Sequence, residues 1–206
     1  MAAFPRTVPP ARVTYPKVIG SLISVGQSGA LQTRSEAAQG RTWQEAWPAL
    51  AAGSADVQAL ITTIENLYNT GATCTLTHYL LPGSGLAANG AGGGTPRVNG
   101  GSEAGTTVDT DGWSASVTGA MKAGDCFTIA NVDVLFRVTA DVNSNGSGVA
   151  TLAIEPPILA GSPPTDDALL TIADATLTAV VLDYASATAG PDEFIGGLQV
   201  TFKEAP

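Results

Sequence analysis

The chain of 206 residues holds one histidine, two cysteines and nine lysines and arginines, and each shortage closes a class of function. A lone His78 removes most Ser-His-Asp and Cys-His relays unless it is itself the base. Its place in a Thr-rich, period-two stretch reads as a sheet histidine. Cys74 and Cys126 are too few and too far apart for a disulfide framework or a zinc motif. With His78 they fall one ligand short of a tetrahedral site unless a carboxylate joins them, so no metal is expected and both cysteines read as small buried residues. The basic residues are scattered singly in a chain of net charge −9, which argues against a phosphate-binding surface and hence against specific nucleic-acid binding. There is no run of about 18 apolar residues, and Met1-Ala2-Ala3-Phe4-Pro5-Arg6 lacks the basic and apolar regions of a signal peptide. The expectation is a soluble chain without membrane contact, made without secretion by that route.

What is present is apolar and glycine-rich: 44% hydrophobic residues, 13% charged, 24 glycines and 13 prolines. That balance predicts a folded chain of one or two domains. Prolines 5, 9, 10 and 16 make the opening extended, with a strand over residues 18–25 and a turn over 26–29. Residues 41–47 alternate, placing Trp43 and Trp47 on one strand face with Glu45 between them, and Pro48 ends the run. The strongest element is a helix starting near Ser54, with Asp56 in its first turn. Its apolar stripe is Val57, Leu60, Ile61, Ile64, Leu67 and Tyr68, and Asn69 and Gly71 stop it. A period-two strand follows over residues 73–81. Residues 82–101, dominated by Gly, Ala, Ser and Asn, read as a long flexible connection. Beyond them strands are expected over 126–130, 132–140, 149–154 and 168–172, with residues 141–146 forming an Asn-Gly hairpin turn. The chain closes with strands over 177–184 and 198–203.

The motifs that could carry chemistry lack their contexts. Gly83-Ser84-Gly85-Leu86-Ala87-Ala88 fits a dinucleotide fingerprint, but a glycine-rich run stands where its helix should begin. Asp141, Asn143, Asn145 and Gly146 reproduce half of a calcium loop, whose twelfth position, a bidentate Glu, is here Leu152. Asp109 with Asp111, Asp166 with Asp167, and Asp192 with Glu193 are carboxylate pairs in turn-like, polar or Gly/Pro-flanked stretches, and read as solvated loop charges. The expectation is therefore no catalytic residue, no cofactor and no enzyme. Trp113 is the one candidate ligand platform, an aromatic face for a sugar ring, although small domains more often use tryptophan as core.

Three stretches carry a resemblance. Residues 41–50 with the following helix and strand are similar to a Trp-containing strand, helix and strand, and the ending at residues 197–205 is similar to a closing strand, of the distal tail protein family of long-tailed (siphovirus-like) bacteriophages. Residues 94–100, 110–113, 121–129 and 138–157 resemble a module recurrent in phage virion proteins. The resemblance implies a mainly β chain: a split-barrel or β-sandwich hub domain with one packed α-helix, formed by residues 1–83 and 176–206. A small antiparallel β domain is inserted as residues 84–175. It implies a structural subunit of the virion tail, made in the host cytoplasm, that forms a homohexameric ring. Its partners would be itself, the tail tube protein, and the tail tip, hub or receptor-binding proteins used in host attachment. The alternatives are a carbohydrate-binding adhesion module centred on Trp113 and, more remotely, a hydrolase using Asp109 or Asp111. In a ring, part of the acidic excess is expected to line a channel and keep passing DNA from sticking.

Overall fold

A computed structural model of the chain describes residues 2–5, 7–8, 10–14, 21–25, 31–35, 41–51, 53–76, 89–90, 92–173, 175–185, 188–189 and 194–205. It is mainly β with one helix. The elements are β1 (Ala2–Ala3), β2 (Arg12–Val13), β3 (Ser21–Val25), β4 (Leu31–Ser35), β5 (Thr42–Ala46), β6 (Leu50–Ala51), α1 (Ala55–Thr70) and β7 (Cys74–Leu76). They continue with β8 (Gly94–Val98), β9 (Gly105–Trp113), β10 (Cys126–Ile129), β11 (Val132–Val138), β12 (Ala150–Ile158) and β13 (Leu170–Thr171). The chain ends with β14 (Leu177–Ala185), β15 (Thr188–Ala189), β16 (Phe194–Gly196) and β17 (Gln199–Glu204). Two compact units share them. Met1–Leu76 and Thr178–Ala205 make a terminal unit, and Thr77–Leu177 makes an inserted one.

In the terminal unit six strands run in the order β1-β7-β14-β17-β5-β2. The alternation at residues 41–47 works as expected: β5 pairs with β17 from Gln199 opposite Ala46 to Lys203 opposite Thr42, which turns Trp43, Glu45 and Trp47 to the buried face. There Phe202 stacks on Trp43 at 5.5 Å and meets Phe4 edge-on at 5.3 Å, geometries that add to the burial of large rings. Helix α1 buries Val57, Leu60, Ile64 and Leu67, each contributing roughly 1.5–3 kcal/mol. Ser54 holds the extended N-cap backbone but makes no side-chain cap bond, and Gly71 takes the left-handed C-cap at φ 62°. Tyr68, the last residue of the expected stripe, is 43% exposed and touches Tyr184 of β14 edge-on at 5.1 Å. Outside the sheet, β15, β16 and β6 form a small second one, in a stretch expected to be loop.

The inserted unit is antiparallel throughout, in the order β13-β10-β11-β12-β9-β8. Its two end strands meet. The Val98 N–H donates to the Ala168 carbonyl at 2.9 Å, the Asp167 N–H donates to the Val98 carbonyl at 3.0 Å, and Arg97 bridges Leu169. These bonds leave a nearly closed barrel, packed inside by residues such as Val98, Phe127, Phe136 and Leu152.

Three sequence expectations fail here, each for a local reason. The stretch over 82–101 is not a flexible connection throughout: residues 94–98 are barrel strand β8, and Asn89 and Gly90 are held by Asp125. Gly94 in this stretch and Gly112 of β9 serve close backbone approach. A Cβ on Gly94 would lie 2.1 Å from the Gly112 carbonyl oxygen, and one on Gly112 would lie 2.3 Å from that of Thr95. Asp109 and Asp111, expected in a turn, lie in strand β9, which the alternation rule misses. Gly112, at φ 74°, breaks the period so that Val108, Thr110 and Trp113 all face inward. The link from β11 to β12 is longer than the hairpin turn expected over residues 141–146: it runs over residues 139–149 and is tied back to residues 114–123 by Val142, Asn143, Ser144 and Asp141.

Candidate functional site

Trp113 is not a platform. It is 5% exposed, packs in the barrel core, and its indole N–H donates to Thr110 Oγ1 at 2.8 Å, while that hydroxyl donates to the Ala150 carbonyl. A sugar ring cannot reach its face.

The carboxylates are likewise engaged. Asp109 accepts from the Thr151 hydroxyl at 2.5 Å, and Asp166 accepts from the Gly100 N–H at 2.8 Å. Asp192 and Glu193 lie outside the described residues, as do His78, the stretch 83–88, the turn over 26–29 and residues 18–20 of the first expected strand. In the calcium-like loop, Asp141 takes the Lys122 ammonium at 2.7 Å and the Ala123 N–H at 3.0 Å. The Lys122 side-chain hydrogen bond, seconded by Ala123, holds the Asp141 carboxyl below its ordinary value of 3.8. Asn143 Oδ1 accepts from the Gly119 N–H, Asn145 Oδ1 from those of Ser147 and Val149, and Leu152 is buried in β12. The side-chain oxygens that would ligate calcium are occupied by backbone N–H groups and the Lys122 ammonium. Cys74 and Cys126 are both buried and outside any disulfide, one in each unit, and their thiols lie 3.6 Å from the Ala179 and Gly124 carbonyls. No helix among the described residues is long and apolar enough to cross a membrane.

The sequence reading missed one polar centre altogether. Asp125, 0% exposed, accepts four N–H donors: the Asn89 backbone and side chain through Oδ1, and the Gly90 and Lys122 backbones through Oδ2. A carboxylate so saturated is a fastener, binding the start of the barrel to the loop before β10. Its only sequence signal is the turn-like Gly124-Asp125. In the terminal unit Glu45 and Glu204 are buried too, with the Trp43 indole donating to Glu45 and the Arg41 N–H to Glu204. The alternation that buries Trp43 and Trp47 had already placed Glu45 on that face.

What remains unusual is the pairing of backbone among the described residues. The six-stranded sheet is open, and its two outermost strands, β1 and β2, are two residues each and both come from the first 13 residues. Between them the opening segment is tied down by Phe4 against Phe202 and by the Trp47 indole donating to the Val8 carbonyl at 3.0 Å. Arg12 and Val13 pair with Ala46 and Glu45, and nested inside that pairing β3 and β4 pair from Ser21 opposite Ser35 to Val25 opposite Leu31. This ribbon is a sheet of two strands that bonds to no third strand among the described residues. A two-stranded ribbon is marginal alone in water, and its outer N–H and C=O groups are a template for another strand. The charge is divided just as unevenly. Thr77–Leu177 holds 10 Asp and Glu against 3 Lys and Arg, a net −7, whereas the rest of the chain holds 8 against 6, a net −2.

No protein-family model matches the chain, and comparison with curated proteins finds no match.

Proposed function

We propose that the chain is a non-enzymatic structural subunit of a phage virion that assembles with copies of itself into a ring at the distal end of the tail. There it joins the tail tube to the tail tip or receptor-binding proteins. One observation carries this reading: the terminal unit ends in an open sheet and a ribbon, β3–β4, whose outer edges pair with nothing among the described residues. Strand addition across such edges is a route by which identical subunits close a ring. The resemblance of residues 41–50, 197–205 and the inserted unit to phage tail and virion proteins supplies the location.

The carbohydrate-binding alternative rested on Trp113, and burial of that ring leaves it without an observation in its favour. The charge division also moves the acidic excess. A channel lined by the terminal unit would carry little net charge, so a DNA-repelling lumen needs the inserted unit to face it.

The test is electron microscopy and native mass measurement of the full chain, alone and with tail tubes. Rings of fixed stoichiometry, six-fold by the family resemblance, are expected, and a monomer under both conditions overturns the reading. Alternate N–H groups of an antiparallel ribbon face outward, so of Leu22→Pro and Ile23→Pro one removes an outward donor. That variant should lose the ring while helix and barrel remain folded.

A further inference from the structure

The chain contains three Asn-Gly pairs, at residues 89–90, 99–100 and 145–146, all in the inserted unit. In such a pair the glycine, lacking a Cβ, lets its backbone nitrogen reach the asparagine side-chain carbon. The nitrogen gives up its proton and bonds to Cγ, the Cγ–Nδ2 bond breaks, and ammonia leaves. The resulting five-membered succinimide takes up one water and opens to aspartate or isoaspartate. One water enters and one ammonia departs, with no change of oxidation state.

The structure treats the three pairs differently. At Asn89 the buried Asp125 carboxylate accepts from the side-chain amide at 3.0 Å, which fixes the carbon that would be attacked, and it also accepts the Gly90 N–H at 2.9 Å. At Asn145 the side-chain oxygen accepts the Ser147 N–H at 2.8 Å and the Val149 N–H at 3.0 Å, which fixes the carbon that would be attacked. Asn99 is exposed. Its backbone N–H donates to the Asp109 carbonyl, but its side-chain amide makes no hydrogen bond among the described residues. The Gly100 N–H points at Asp166 Oδ1, 2.8 Å away, an exposed carboxylate placed to take the departing proton.

We propose that Asn99-Gly100 is a self-modification site, at which Asn99 converts through a succinimide to aspartate and isoaspartate while the other two pairs are protected by their hydrogen bonds. The position has a consequence. Asn99 directly follows Val98, whose backbone closes the barrel against Asp167 and Ala168. Conversion adds a negative charge to a hairpin that already carries Glu103, Asp109 and Asp166, and the isoaspartate form adds a methylene to the backbone at that seam. The modified chain should open there more readily than the fresh one.

The test is incubation of the full chain at mildly alkaline pH followed by tryptic mapping. Cleavage after Arg97 and Lys122 isolates residues 98–122, in which Asn99 is the sole asparagine. Asn99 should convert at least about tenfold faster than Asn89 or Asn145, the factor expected when the asparagine side chain must first break a hydrogen bond. Equal or faster conversion at either protected pair overturns the proposal. Asp125→Asn should speed conversion of Asn89 and leave Asn99 unchanged, and no change at Asn89 would refute protection by hydrogen bonding. Asp166→Asn should slow Asn99, and an unchanged rate removes Asp166 as the proton acceptor.

Discussion

The two units solve the edge problem of β-sheets in opposite ways. The inserted unit joins its end strands β8 and β13 at Val98, Ala168 and Asp167 and carries most of the net charge of the chain. The terminal unit leaves its sheet open, covers each edge with two residues, and extends a ribbon that pairs only with itself among the described residues. A closed, acidic barrel resists strand addition and repels copies of itself, whereas an open, nearly neutral sheet invites both. On the proposed reading, self-assembly falls to the terminal unit and presentation to the inserted one.

The largest effect should come from the barrel core. Trp113→Ala removes a buried ring together with its bond to Thr110, and should cost about 3–5 kcal/mol. Hydrogen exchange should show the loss confined to the inserted unit, while exchange-slowed amides in β5 and β17 stay protected. Loss of protection in both would break the comparison by making the chain one cooperative body. Asp125→Ala comes next. Four N–H donors lose a buried carboxylate, and a cost of roughly 2–3 kcal/mol is expected in urea unfolding of the inserted unit. Gly112→Ala should cost about 1–3 kcal/mol from strain at φ 74° and the close Thr95 carbonyl, whereas Gly161→Ala, with nothing within 4 Å, should be near neutral. The smallest effect is electrostatic. The folded state lowers the Asp141 pKa below 3.8, so its pairing with Lys122 stabilises at neutral pH and is lost as pH falls through the lowered value. Asp141→Asn should therefore narrow the difference in stability between neutral and strongly acid pH, by less than any change above, because the pair is exposed.

How much of this could be read in the chain depended on whether a local pattern survived in three dimensions. Helix α1 was legible because Val57, Leu60, Ile64 and Leu67 recur at helical spacing, and β5 because Trp43, Glu45 and Trp47 keep strict alternation. Strand β9 was not, since Gly112 interrupts its period and its outward face is Thr and Asp, the composition of a loop. Gly94 looks like part of a linker because composition cannot distinguish a glycine that bends freely from one that makes room for another backbone. The candidate site was the least legible part. Trp113 stood out as an aromatic whose residue type favours a core role over a ligand platform, and its burial gives the core role. Strand edges are properties of pairing, with no residue of their own to mark them, and β1 and β2 are too short to stand out.

The assignment of assembly to the terminal unit can be tested directly because β7 and β14, which flank the insertion, are neighbours in one sheet. Residues 77–177 can be replaced by a short flexible link, and the shortened chain compared with the full one by native mass spectrometry. Both should assemble to the same number of subunits. A full chain that assembles beside a folded, shortened chain that stays monomeric would place the contacts in the inserted unit and contradict the account.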